Sequence, residues 1–341
     1  MDIASMYLDE LKEYMTTLGE PAFRAKQVFE WIHKKQAQSL DEMTNLPKAL
    51  REKLADNALF VREETRQTSR EDGTVKFLYR LHDGNLIETV WMPHDYGISV
   101  CVSSQVGCRM GCRFCASTIG GLIRNLEPAE ILGQIYASMR SMGKRVDNVV
   151  VMGTGEPFDN YDNLIRFIKL LTAPEGYNLS ARSITVSTCG IVEKILQFAQ
   201  EGLPVTLALS LHATTDEERK ALMPVAHKYT LSETLAACNA YFEQTGRRVS
   251  YEYSLVRGQN DSEAHAIRLS KLLAGQNCHV NLIPVNPIAE RDYKASDPGS
   301  VQKFKLTLEK NSINGTIRRS AGSDIDAACG QLRRRFEDRE R

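Results

Sequence analysis

Cys108-Arg-Met-Gly-Cys112-Arg-Phe-Cys115 sets three thiols at a C-x3-C-x2-C spacing. That pattern supplies three ligands to a [4Fe–4S] cluster normally held by four, and so leaves one iron open to bind a small molecule and pass it an electron. A structural zinc site needs a tetrahedral set of four, usually as two cysteine pairs. No second pair follows, and the next histidine is His212. Disulfides fit poorly as well. Residues 1–12 carry four charged residues and no apolar core of a signal peptide, and eight cysteines without such a signal point to a reducing compartment.

Other candidate groups fall where strands should end. Gly153-Thr-Gly155-Glu156-Pro157 combines glycines that let a ligand approach the backbone with a carboxylate able to accept from an ammonium group. Ser187-Thr-Cys189-Gly190, Ser210-Leu211-His212 and Pro284-Val-Asn286-Pro287 are short polar caps on apolar runs. Helix capping explains any one of them taken alone. Four in register argue for a ligand lying across several strand ends. Cys101, seven residues before Cys108, and Cys329, beside Gly330, are further thiols of interest. Cys189, Cys238 and Cys278 read as inert buried cysteines, with Cys189 close to the ligand-side loops. Glu88 lies in a mostly apolar strand. On its own that is an outward-facing carboxylate, since glutamate is rarely buried unpaired.

The elements that must position these groups follow from periodicity. Helices are expected over Met6–Leu18, over Phe23–His33 with Phe23, Val28, Trp31 and Ile32 on its apolar face, and from Leu46-Pro47 onward. Thr74–Arg80 and Asn85–Trp91 alternate as strands around the Asp83-Gly84 turn. From residue 98 strands alternate with helices: 98–103, 148–152, 183–187, 205–210, 249–255 and 280–284, with 316–319 as a further short strand. Such alternation predicts a parallel sheet, and an incomplete (β/α)6 barrel fits better than an open doubly wound sheet. The fold class is therefore α/β. Its expected units are a helical RNA-binding accessory domain (1–60), a small β extension (61–97), the partial barrel (98–320) and a tail carrying Cys329 (321–341). Lys+Arg and Asp+Glu both number 43 in 341 residues, so net charge does not announce nucleic acid. Arg109, Arg113 and Arg124 surround the cluster motif, Arg318–Arg319 and Arg333–Arg335 lie near the end, and Arg24 and Lys26 lie in the second helix; these are candidate phosphate contacts as well as ordinary solvated faces. No run of about 18 apolar residues is present, which argues against a membrane span.

Taken together, Cys101-Val-Ser-Ser-Gln-Val-Gly-Cys108, the three-cysteine motif with Phe114, Gly155-Glu156-Pro157, Ser210-Leu211-His212 and Asp324-Ile-Asp-Ala-Ala-Cys329-Gly-Gln-Leu332 resemble the radical S-adenosylmethionine (SAM) RNA adenine methyltransferases of the RlmN/Cfr family. The resemblance covers almost the whole chain. It implies a radical SAM barrel with Cys108, Cys112 and Cys115 on the cluster. Gly155, Glu156, Ser187, Ser210, Leu211, His212 and Asn286 would surround SAM. Thr154 stands where the family more often has Met, which should alter packing near SAM and leave the chemistry alone.

The resemblance also implies a reaction. C2 of adenine is too electron-poor to attack SAM directly, so the cofactor carries the difficult step. Cys329 would take a methyl from one SAM. A second SAM would yield a 5′-deoxyadenosyl radical, which removes hydrogen from that methyl so that its carbon adds to C2. Glu88 would take the C2 proton. Cys101 would resolve the adduct by forming a disulfide with Cys329. The target base must leave its stack, and the RNA would be read through shape, phosphates and unstacked loop bases. The expected partners are 23S rRNA, tRNA and an electron-donor protein, for a cytoplasmic monomer. Ala116-Ser117-Thr118 and the Cys101 context favour the C2 branch of the family. Two alternatives stay open: methylation of C8 by a Cfr-type enzyme conferring antibiotic resistance, and a non-enzymatic RNA-binding protein with a structural or redox-sensing cluster.

Overall fold

The computed structural model describes residues 2–57, 60–285, 293–318, 321–325, 332–333 and 335–336. A short turn, Ile3–Ser5, precedes α1 (Leu8–Thr17), α2 (Phe23–His33) and α3 (Lys48–Leu54). The expected first helix, Met6–Leu18, is therefore one helix that starts two residues later than expected. Asp2 caps the turn at Ala4, and the Glu10 carboxylate accepts from the Tyr7 amide at 2.7 Å, so α1 starts at Leu8. The buried face of α2 is Ala25, Val28, Phe29, Ile32 and His33. Phe23 does not belong to it: its ring is 58% exposed, with the Arg24 guanidinium 4.9 Å above it.

Next come β1 (Arg62–Thr68), β2 (Val75–Arg80), β3 (Leu86–His94) and β4 (Gly97–Cys101), then a small pair, β5 (Gln105–Gly107) and β6 (Leu122–Asn125). The alternating part follows as α4 (Pro128–Met142), β7 (Asn148–Val151), α5 (Tyr161–Leu171), β8 (Ile184–Thr188), α6 (Val192–Gln200), β9 (Thr206–Ser210), α7 (Asp216–Leu222), α8 (Leu231–Thr245), β10 (Val249–Leu255), α9 (Glu263–Leu272), β11 (Cys278–Pro284), α10 (Pro298–Lys310) and β12 (Gly315–Ile317). Helix starts are set by side-chain oxygens, with Thr230, Ser262 and Asp297 each accepting from a first-turn amide. Gly143 and Gly246 end α4 and α8 in the left-handed conformation.

Ten strands form one sheet in the order β1-β2-β3-β4-β7-β8-β9-β10-β11-β12. The run from β4 to β12 is parallel, so the expected six barrel strands are joined by the short β12. β1, β2 and β3 continue it antiparallel, with Val90 of β3 opposite Cys101 of β4. The β extension is thus the edge of the barrel's own sheet.

Strand alternation sorts the two faces. Val100, Val149, Val151, Ile184, Val186, Leu207, Tyr251 and Leu282 are fully or almost fully buried in the main apolar core. The opposite face carries Cys101, Val150, Met152, Ser187, Ser210, Glu252 and Asn281, a mostly polar lining for a lumen. The N-terminal helices join the same core; His33 Nδ1 lies 3.1 Å from the Tyr136 hydroxyl of α4.

Candidate active site

The three-cysteine loop is a pinched excursion from the sheet. β5 and β6 pair antiparallel at its neck, and the Cys108 amide donates to Gly121 O at 3.0 Å. Gly107 makes the pinch possible: its φ is +78°, and a Cβ there would sit 2.0 Å from Gly121 O. Beyond the neck exposure alternates. Arg109, Gly111 and Arg113 face solvent, while Cys108 and Cys112 are buried and Cys115 is half-buried. Thr118 Oγ1 ties the loop by donating to Cys115 O at 2.9 Å. The bed of the loop is Leu222 and Met223 at the end of α7, together with Cys189; Leu222 O accepts from the Arg113 amide at 2.9 Å.

The donor set fits the cluster. Burial pushes the Cys108 thiol up to about 12 and the Cys112 thiol higher still, and the mutual proximity of the loop thiols adds to both. Two buried thiols that resist ionisation, with Cys115 beside them as a third soft donor, suit a multiply charged cationic partner, and thiolate-ligated iron is such a partner. Among the described residues no three His, Cys, Asp or Glu side chains gather tightly enough for a single ion. All seven described cysteines are free thiols.

Next to the loop, Gly155 (φ +112°) presses its backbone against β5; a Cβ there would meet Ser104 Oγ and Gln105 Cβ at 2.7 Å. Gln105 in turn accepts from the Glu156 amide at 2.8 Å. The Glu156 carboxylate is buried and accepts two amides, Phe158 at 3.0 Å and Cys189 at 2.8 Å. Burial raises its pKa and those two amides oppose the rise. Thr154 O accepts from the amides of Ser104 and Gln105, so the position that departs from the family pattern is held through its backbone.

Ser187 and Ser210 are half-buried on the lumen face. His212 is buried with φ +56°; its Nδ1 accepts from the Ser254 amide at 2.9 Å, leaving the proton on Nε2. Burial depresses its pKa to about 3, so it is neutral. Its ring meets Phe114 edge-on at 4.7 Å, which links the strand end to the cluster loop. The Leu211 side chain lies in the apolar core, and only its backbone reaches the mouth, donating to Glu252 O at 3.0 Å. Asn286 lies outside the described residues.

A second centre occupies the extension side of the same lumen. Cys101 packs with Val90, Met92 and Ala321. Burial raises its thiol pKa, and Arg318 pulls it the other way. Glu88 is 4% exposed and forms an ion pair at 3.0 Å with Lys76, which is fully buried. The outward-facing reading of Glu88 is thereby corrected. Its Oε1 also accepts from the Arg333 amide at 2.8 Å, and Leu332 packs on Leu78 and Leu86. Upstream, Gly322 donates to Asp72 at 2.8 Å and the Arg70 amide donates to Asp324 at 2.9 Å. Cys329 lies outside the described residues, but the described chain on both sides of it is fastened to β2, β3 and their leading turn.

The arginines expected as phosphate contacts divide. Arg124 is consumed by Asp83 and Glu130, and Arg109 by Asp159. Arg333 is buried at 8% exposure, while Arg113 remains exposed. Arg319 and Arg334 lie outside the described residues.

Sequence reasoning passed over Lys76, Glu252 and Arg219. Glu252 is buried in the lumen, accepts from Asn281 Nδ2 at 2.8 Å and stands 3.9 Å from Arg318. For Lys76 and Glu252 the available signal was a lone charged residue inside the otherwise uncharged strands 75–79 and 249–255.

Comparison with known proteins matches both parts of this architecture. Residues 1–60 match the model of the ribosomal RNA large subunit methyltransferase N-terminal domain, and residues 102–269 match the radical SAM superfamily. A curated relative in Lachnoclostridium phytofermentans, named "Probable dual-specificity RNA methyltransferase RlmN", is 58% identical over 99% of this chain and 96% of its own. A relative of the same name in Clostridium perfringens is 51% identical over 98% and 97%. The crystal structure of a radical SAM methyltransferase from Sphaerobacter thermophilus superposes with a TM-score of 0.94 at 42% identity, covering 97% of this chain and 98% of that one.

Proposed function

Because the chain belongs to the RlmN family of radical SAM dual-specificity RNA methyltransferases, we propose that it methylates C2 of a specific adenine in 23S rRNA and in tRNA, using Cys329 as methyl carrier and Cys101 as resolving thiol. One observation carries the reading. A buried free thiol, Cys101, and a buried carboxylate, Glu88, share one face of one sheet, on neighbouring strands, and Cys101 ends the strand that leads into the three-thiol loop.

Cys108, Cys112 and Cys115 would hold the [4Fe–4S] cluster. Glu156, Ser187, Ser210, the backbone at Gly155, Leu211 and His212, and Asn286 would hold SAM. When bound, these groups supply the one-electron chemistry and the methyl that a polar reagent cannot deliver to C2. The rest falls to the chain. The Lys76 ammonium, 3.0 Å away, holds the Glu88 carboxylate in place on the lumen face, where it would receive the C2 proton. Burial keeps the Cys101 thiol protonated at rest, which prevents premature pairing with Cys329. Once deprotonated, its sulfur attacks the Cys329 sulfur; the S–S bond forms, the sulfur–carbon bond to the base breaks, and the freed carbon takes a proton. Reduction of that disulfide to two thiols fits a cytoplasmic enzyme served by an electron-donor protein. Among the described residues no helix is long and apolar enough to cross a membrane.

Digestion of modified RNA and mass spectrometry of the nucleosides tests the proposal. 2-Methyladenosine is expected, and 8-methyladenosine as sole product would replace it with the Cfr-type reading. A third result, no 5′-deoxyadenosine from the iron-loaded protein with SAM and dithionite, would favour a sensor.

A further inference from the structure

We propose that Arg219 is the fixed counter-cation of the cluster, a guanidinium with two donors unmatched among the described residues and completed when the thiolates of the 108–115 loop carry iron, and that it raises the cluster's reduction potential. The inference rests on the reading of that loop as the cluster site.

Arg219 lies on α7 and is fully buried. Its Nη2 donates to Cys189 O at 2.6 Å and to Ser210 O at 3.3 Å, the backbone just past β8 and at the end of β9. Among the described residues Nε and Nη1 are buried without a partner. An arginine with two idle donors and no solvent is costly, and native proteins retain such a group where an anion completes it. The neighbourhood identifies the anion. The charge neighbours of Arg219 are led by the thiols of Cys189 and Cys112, then Cys238, ahead of Asp216. α7 runs directly into Leu222 and Met223, the residues packed on Cys112. Gly190 gives up room to the guanidinium, since a Cβ there would stand 3.1 Å from Nη2.

A cluster held by thiolates gains negative charge on reduction. Nearby hydrogen-bond donors and positive charge favour the reduced form and move the potential up. Arginine suits the post because it does not lose its proton when buried beside a cluster that changes charge. It acts here through the cluster's environment, as a positioning and tuning residue.

The test uses the full chain and its R219Q and R219K variants, loaded anaerobically with iron and sulfide and titrated by EPR-monitored reduction without SAM. R219Q should be harder to reduce by at least tenfold in the equilibrium constant, about 59 mV for one electron. R219K keeps the charge and should recover most of that shift. An unchanged potential in R219Q overturns the proposal, as does R219K falling as far as R219Q. So does weaker SAM binding with an unmoved SAM-free potential, which would assign the guanidinium to the carboxylate of SAM. If R219Q takes up no iron, R219K decides: a parent-like potential supports the proposal and a tenfold loss overturns it. A parent chain that holds no four-iron cluster would instead remove the underlying reading.

Discussion

On the extension side of the lumen Lys76 and Glu88 neutralise each other at 3.0 Å, whereas on the cluster side Arg219 keeps two buried nitrogens without partners among the described residues. Both regions bury charge against one sheet. The first closes its balance within the polypeptide, through strands that pair directly in a hairpin. The second is built from loops after β4, β7, β8 and β9, and its balance closes only with a group the chain does not encode. The contrast separates two jobs. Proton and sulfur chemistry needs residues whose charge is fixed beforehand, while a cofactor bed needs a charge held in reserve.

The largest effects should come from the sulfur centre. Cys329→Ala is expected to abolish methyl transfer, and Cys101→Ala to stall turnover at an RNA–protein adduct that survives denaturing electrophoresis. Free methylated RNA at parental rate from either variant would dissolve the division of labour. Breaking the self-neutral pair comes next. Lys76→Met removes the buried cation 3.0 Å from Glu88 and should cost about 3–5 kcal/mol in urea unfolding of the iron-free protein, most of it recovered in Lys76→Met/Glu88→Leu. Equal losses in the single and double variants would show that the pair is not one energetic unit. On the cluster side, Gly107→Ala forces a left-handed backbone and a Cβ against Gly121 O; a loss of roughly 3 kcal/mol and poor iron uptake are expected. Full iron content per chain in that variant would show that the neck of the loop is dispensable.

Acidity gives the smallest effect and a different way to sharpen the comparison. Burial depresses His212 to about 3, well below its unfolded value near 6.5. The unfolded chain therefore binds the extra proton between those values. Stability rises with pH through that window and is flat above it, so at pH 5 His212 costs about 2 kcal/mol relative to pH 7. His33, depressed to about 3 by burial at the accessory interface, contributes in the same direction. Stability curves of His212→Asn and His33→Gln should each be flatter between pH 5 and 7, and unchanged slopes in both would refute the assignment.

Much of this was legible because it is local. The three-cysteine spacing, the glycines preceding Glu156 and the strand-ending Ser210-Leu211-His212 are each contained within a few residues, as is each change of period, and short-range sterics and ligand geometry fix their meaning. β1 was not legible. Arg-Glu-Glu-Thr-Arg-Gln-Thr has no apolar alternation and becomes a strand only by pairing with β2. Phe23 kept the helical spacing of a core residue, yet the helices that pack on α2 leave it outside.

The sequence by itself determined the thiol donor set, the alternation of strands and helices from residue 98 onward, and the residue types available at the strand ends, since each follows from spacing along the chain. The tertiary structure alone decided that Glu88 is buried on Lys76, that Cys101 faces Val90 on the lumen side, and that Arg219 is buried against Cys189 O within electrostatic reach of Cys112. Those facts depend on strand register and on a helix laid across a loop far away in sequence. A long-range contact leaves no periodic trace in the residues that make it.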